Sequence, residues 1–100
     1  MAKINVLAKK PGEKFYKLQI NNSLEVLQDT VGGPIECVTI AEDMAVICNE
    51  EGRLRGLEHN CEICGIGFCG TVLLVGIGGE EFTDVPIDEE AVRWLIRDFR

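Results

Sequence analysis

No stretch of this chain holds enough consecutive apolar residues to cross a bilayer, which takes roughly 20 in a helix. The N-terminus, Met1-Ala2-Lys3-Ile4-Asn5, has neither the long apolar run nor the small-residue cleavage site of a secretory signal. The cytoplasm is therefore the expected compartment. Histidine occurs once, at His59, and no Ser-His-Asp or Cys-His-Asn grouping can be built around it. Gly76, Gly78 and Gly79 follow a strand-like run but precede no phosphate-binding helix, so Walker and dinucleotide fingerprints are both missing. Repeats, linkers and low-complexity segments are absent as well. Without a catalytic constellation, the expectation is a protein that is not an enzyme.

Basic residues are missing from a longer stretch. Between Leu24 and Gly52 every charge is negative: Glu25, Asp29, Glu36, Glu42, Asp43, Glu50 and Glu51. Five lysines (Lys3, Lys9, Lys10, Lys14, Lys17) crowd the first 20 residues instead, and the chain as a whole carries −7. A binder of nucleic-acid phosphates needs a basic footprint, so direct nucleic-acid binding is not expected. Phe15 and Tyr16, beside Lys14 and Lys17, could stack on a base, but on a hairpin strand they read more simply as core and rim. The acidic run reads as a solvated surface that favours solubility. Its sharper reading is a face for a partner with a basic surface, or an acidic decoy.

One hundred residues, 46% hydrophobic and 27% charged, make a single globular domain spanning 1–100 with a modest core. Ile4 to Lys9 and Phe15 to Ile20 read as strands joined at Pro11-Gly12-Glu13, with Tyr16, Leu18 and Ile20 on the more apolar face. A short helix follows, with Asn22 as its N-cap and Glu25 three residues on. Its stripe is Leu24, Leu27, Gln28 and Val31, and Gly32 and Pro34 stop it. Pro34 to Ala41 is a third strand. Met44 to Cys48, apolar at every position, reads as a fourth, buried on both faces. In the turn Asn49-Glu50-Glu51-Gly52, Asn49 is expected to close the chain reversal through its side chain and Gly52 to take a positive φ.

Arg53 to Gly70 is the least regular part, and Thr71 to Ile77 the fifth strand. A last helix is expected with Asp88 as N-cap, Arg97 in its last turn, and Ile87 stapled to Val92. Its buried stripe is Val92, Leu95, Ile96 and Phe99, with Trp94 at the edge. The pattern β-β-α-β-β-loop-β-α predicts an α+β fold: about five strands in a mixed or mainly antiparallel sheet, with two short helices packed on it.

Several of these pieces together resemble a known family. They are Leu24-Glu25-Val26-Leu27-Gln28, Val31-Gly32-Gly33-Pro34-Ile35-Glu36, Ile47-Cys48-Asn49-Glu50-Glu51-Gly52 and Gly70-Thr71-Val72-Leu73-Leu74-Val75-Gly76. The family is Domain of Unknown Function 3846, found as small proteins of phages, plasmids and Gram-positive bacteria. The resemblance runs from about Ile4 to Phe82 and implies an accessory protein of a mobile element. It supplies no reaction, cofactor or catalytic residue.

The five cysteines cannot all pair within one chain, and reduced thiols fit a cytosolic protein. His59-x-Cys61-x2-Cys64-Gly65-x3-Cys69 departs from the family pattern and has the look of a zinc knuckle. Cys61, Cys64, Cys69 and His59 would supply four ligands, with Cys48 or a second chain as an alternative to His59. The bland reading is three ordinary thiols in a glycine-rich loop. Cys61-x-x-Cys64 could also be a redox pair, though Gly65 and Gly67 oppose the helix such a pair needs.

These readings give three expected functions. The first is a non-enzymatic binding or regulatory module, host-directed and anti-defence in its most specific version. Its contact residues would be Asn49, Glu50, Glu51, Glu36, Glu42 and Asp43, and its partner a protein with a basic surface or a small ligand. The second is a zinc-stabilised domain; the third is a thiol-dependent enzyme or redox protein. A homodimer is left open, through an edge offered by the first strand or by the glycine-rich loop.

Overall fold

The computed structural model describes residues 3–97. Lys3–Lys9 (β1) and Tyr16–Asn21 (β2) form the expected antiparallel hairpin, in register from Lys3 opposite Asn21 to Ala8 opposite Tyr16. Period-two alternation puts Ile4, Val6 and Ala8 on one face together with Tyr16, Leu18 and Ile20. Leu7 and Phe15 enter the core on the other face.

Leu24–Val31 (α1) is the helix read from the sequence, but its cap lies one residue later. Ser23 is the N-cap, with its Oγ accepting from Val26 N at 3.3 Å, while Asn22 Nδ2 donates to Phe82 O. Only Leu27 and Val31 of the expected stripe are buried, and Leu24 is 59% exposed. Eight residues cannot present a full stripe to one sheet, so packing at the two inward positions holds the helix. Gly32, at φ +81, ends it in the left-handed conformation.

Ile35–Ala41 (β3) and Met44–Asn49 (β4) form a second hairpin, with a bulge between Thr39 and Ala41. Later in the chain, Val72–Gly78 (β7) inserts between the two hairpins and pairs antiparallel with both β1 and β4. The resulting order is β2-β1-β7-β4-β3. Glu81–Thr83 (β8) takes over from β1 along the second half of β7. The strand therefore runs on through Gly76 to Gly78. A side chain at Gly76 would collide with Asp84 O, where the chain returns.

Of the segment expected to be irregular, residues 53–58 are turn and loop, but the rest is a hairpin. His59–Ile63 (β5) and Ile66–Cys69 (β6) pair antiparallel, and a short terminal strand, Ile96–Arg97 (β9), pairs with β5. Cys64 and Gly65 have φ of +50 and +83, the signature of a two-residue type I′ turn, which suits the twist of a tight hairpin. The expected last helix is a 3-10 turn, Ala91–Trp94. Its N-cap is Glu90, not Asp88; Asp88 sits two residues earlier, its Oδ1 accepting from Glu90 N and Ala91 N. Four residues from Ala91 the chain turns into β9, because Ile96 pairs with Ile63. Val92 is buried and Leu95 and Ile96 pack beside it, while Trp94 is 89% exposed. Phe99 lies outside the described residues, as do Met1 and Ala2.

The α+β expectation is thus corrected. Strands take 49% of the described residues and helix 13%, arranged in three layers: α1, the six-stranded sheet, and the three-stranded sheet. Leu27 and Val31 of α1 cover Ile4, Val6, Ala45, Ile47, Leu73 and Val75. On the opposite face Leu7, Val46, Val72 and Leu74 meet Cys61, Ile63, Phe68 and Val92. The strand Met44–Cys48 is buried along its whole length, as its unbroken apolar run requires.

A lysine is buried between the sheets. Lys9 is 1% exposed, and its Nζ donates to Asn60 Oδ1 at 2.8 Å. Asn60 Nδ2 donates in turn to Lys9 O and Gly70 O at 2.8 and 2.7 Å. The amide is therefore satisfied on both sides and ties the start of β7 to β1 and β5. No helix among the described residues is long and apolar enough to cross a membrane.

Candidate functional site

Two turns that are distant in the chain meet at Asn49. This residue ends β4 and is 4% exposed. Its Nδ2 donates to Val31 O at the end of α1 (3.2 Å), and its Oδ1 accepts from Glu51 N (2.8 Å). Glu50 N donates to Pro34 O at 2.7 Å, so the two turns are also joined through backbone. Gly33 allows this approach: a Cβ there would lie 2.9 Å from Asn49 Nδ2 and 3.1 Å from Arg55 Nη1. Arg55 Nη1 donates to Gly32 O, covering another carbonyl that the helix leaves open. Asn49 therefore closes its turn through its side chain, as expected. Gly52 does not take a positive φ. It is buried, and a Cβ on it would sit 3.1 Å from Cys69 O.

A cleft of about 350 Å³ opens beside this junction, between the β3–β4 hairpin and β6. Glu36, Val38, Cys48 and Glu50 line one side; Arg53, Leu54, Ile66, Phe68 and Cys69 line the other. Leu54 is 92% exposed and Ile66 40%, so the rim is apolar as well as acidic. Arg53 Nη2 donates to Gly67 O and fixes the loop against β6. Cys48 Sγ lies 3.9 Å from Glu36 Oε1. Burial, and then the Glu36 carboxylate, push the Cys48 thiol up from 9.0 to about 11, so it stays protonated at neutral pH. A protonated thiol is a poor nucleophile and a poor metal ligand. A larger cleft, about 750 Å³, opens between Phe15, Val92 and Ile96, with Glu13, Glu89, Glu90, Lys14 and Arg93 around it.

The acidic residues do not form one face. Glu36, Asn49 and Glu50 gather at the smaller cleft. Glu42 and Asp43 sit in the β3–β4 turn, separated from Glu50 and Glu51 by the six residues of β4, roughly 20 Å at strand rise. The cysteine cluster is dispersed too. Cys61 is fully buried among core residues, Cys64 is exposed in the hairpin turn, and Cys69 is half-buried opposite exposed His59. Among the described residues no three His, Cys, Asp or Glu side chains are placed to hold a metal ion. Alternation along β5 explains this: Cys61 must point inward for Ile63 to do so, which leaves the turn residue Cys64 at the far tip.

The pieces Val31-Gly32-Gly33-Pro34 and Asn49-Glu50-Glu51-Gly52 are thus one structural unit, held by the buried Asn49 amide, the Glu50 N–Pro34 O bond and the Arg55 guanidinium. A family model described as a domain of unknown function (DUF3846) matches residues 4–99. The chain belongs to this family. No curated protein and no solved structure matches it.

Within this DUF3846 protein, sequence reasoning missed Arg53, Leu54 and Ile66, which complete the cleft. Leu54 follows a polar turn with no periodicity around it. The signal that could have found the β5–β6 hairpin was Cys64-Gly65, a two-residue pair flanked by isoleucines at Ile63 and Ile66.

Proposed function

We propose that this DUF3846 protein is a non-enzymatic binding module, encoded by a phage or another mobile element and directed at a host protein with a basic surface. The observation that carries the reading is the cleft beside Asn49, where solvated carboxylates (Glu36, Glu50) adjoin exposed apolar side chains (Leu54, Ile66). A partner that brings an apolar anchor flanked by lysine or arginine would bury Leu54 and neutralise the rim. Centrally buried anchors with complementary charge around them give the energy and specificity of such contacts. Burial and the Glu36 carboxylate keep the Cys48 thiol in the same cleft protonated, which makes that one side chain a poor nucleophile. The mobile-element part follows from what the family resemblance implies.

The test is a comparative capture from bacterial lysate with the wild-type protein and a Leu54→Ser, Ile66→Ser double variant. A partner held by the first and released by the second is the expected result. Turnover of a nucleotide or peptide substrate by the pure protein, or capture that ignores both substitutions, would overturn it.

A further inference from the structure

We propose that β3 is a docking edge, and that an extended lysine- or arginine-bearing segment of a partner adds to it as one more strand of the sheet. This rests on the binding-module reading and gives that contact a geometry.

Among the described residues β3 has a strand neighbour on one side only. It is seven residues long, contains neither proline nor lysine, and carries one charge, Glu36. Natural sheet edges are commonly blunted by lysine or proline. The opposite edge, β2, follows that pattern, with exposed Lys17 in it. β3 has only the bulge near its end.

The register shows which backbone groups β3 offers. Glu50 N donates to Pro34 O, so Pro34 and Glu50 form a hydrogen-bonded pair. In an antiparallel ladder such pairs alternate, which makes Glu36–Cys48 and Val38–Val46 the next two. The N–H and C=O groups of Ile35, Cys37 and Thr39 then point away from β4, at the spacing an added strand requires. The side chains beside them are incompletely covered: Ile35 and Val38 are half-buried and Cys37 is exposed.

Charge identifies the occupant. Glu42 and Asp43 flank one end of β3, Glu50 and Glu51 the other, and Glu36 lies between. Arg53 and Arg55 are the bases near the Gly32 end, and their guanidinium groups are engaged with Gly67 O and Gly32 O. A strand with basic residues at its two ends meets opposite charge at both. A second copy of this chain does not. Antiparallel self-pairing of β3 would bring Glu42 and Asp43 of each copy to the end where the other carries Asp29, Glu50 and Glu51. Like charges at that separation oppose the contact, so the edge is open to a basic strand and closed to its own kind.

The probe is a synthetic peptide of alternating threonine and valine with two lysines at each end, titrated into the full chain at low salt and followed by backbone amide NMR. Saturable shifts centred on the Ile35, Cys37 and Thr39 amides are expected. A peptide with glutamates in place of lysines should bind about tenfold more weakly or not at all, and so should the Glu42→Lys, Asp43→Lys protein. Cys37→Pro removes an outward N–H without touching a bond to β4 and should abolish binding. Should that variant not fold, peptides N-methylated on alternate residues give the same readout with the unmodified protein. No saturable shift, shifts that map to other residues, or indifference to both N-methyl registers would overturn the docking edge. A Leu54-dependent partner found by capture would still stand in that case, and loss of that partner with intact peptide binding would leave the edge without the cleft.

Discussion

Replacing Asn49 by alanine should be among the most damaging single changes outside the apolar core. The side chain makes two hydrogen bonds from a site 4% exposed: Nδ2 to Val31 O at 3.2 Å, and Oδ1 from Glu51 N at 2.8 Å. Each such bond contributes about 1 kcal/mol net, and leaving a buried partner unsatisfied costs about 1–3 kcal/mol. Val31 O is deep at the helix end, whereas Glu51 N lies at a turn that water can reach. The sum is therefore about 2–4 kcal/mol. A domain of this size has a total stability of about 5–15 kcal/mol, so the loss is a large fraction of it. Urea unfolding followed by far-UV circular dichroism should show the midpoint falling by about 1–3 M at unchanged slope. The melting temperature should drop by roughly 10–25 °C. Asn49→Asp keeps the acceptor for Glu51 N but sets a carboxylate against Val31 O, so it should fare no better than alanine. Glu50→Ala, at an exposed position, should change stability by no more than about 0.5 kcal/mol. An Asn49→Ala protein within about 0.5 kcal/mol of wild type would refute the account of the two turns as one unit.

Three further outcomes follow from particular side chains. Cys64→Asn should stabilise the protein by about 0.5–1 kcal/mol in urea unfolding, because Cys64 holds φ +50 in a type I′ turn where Asn-Gly is the preferred pair. Raising the pH from 9 toward 11 should destabilise wild type more than Cys48→Val: the unfolded thiol ionises near 9.0 while the folded one resists to about 11, so its contribution is full below pH 9 and is lost as pH rises through 11. Alkylation of the native protein, counted by mass spectrometry, should modify exposed Cys37 and Cys64 first. Cys48 and Cys61, both buried, should react only in denaturant.

What could be read in the sequence was local. Pro11-Gly12 between two alternating runs gave the first hairpin, Gly32-Gly33-Pro34 gave the helix stop, and the unbroken run Met44 to Cys48 gave a strand covered on both faces. Asn49 was legible as a turn-closing residue because an Asx turn is written within three residues. Its second bond, to Val31 O, crosses 18 residues and could not be seen. The second sheet was hidden for a related reason. Its strands His59–Ile63 and Ile66–Cys69 are short, and glycines and cysteines obscure their alternation. The last segment carries a helix-start signal at Asp88 and an apolar stripe, yet Ile96 is drawn into pairing with Ile63. Tertiary pairing overrode a local signal that amounts to only a few tenths of a kcal/mol per residue. The candidate metal set is dispersed by geometry: Cys61 and Cys64 stand three positions apart in the chain, but Cys61 points into the core while Cys64 lies exposed at the hairpin tip.

The place of β7 has a consequence for how the chain comes together in time. The two hairpins, β1–β2 and β3–β4, can each zip from a short turn, but no pairing joins them. They become one sheet only when Val72–Gly78 slides between them and bonds to both. A nascent chain that ends before Thr71 therefore holds two unconnected ribbons with the apolar flanks of Leu7, Val46 and Ile47 uncovered. Closure waits on a strand some 60 residues beyond β1, a long-range contact of the kind that slows folding. The same wedge makes the finished sheet hard to open from either edge, since unpeeling β2 or β3 leaves the three central strands still bound to one another.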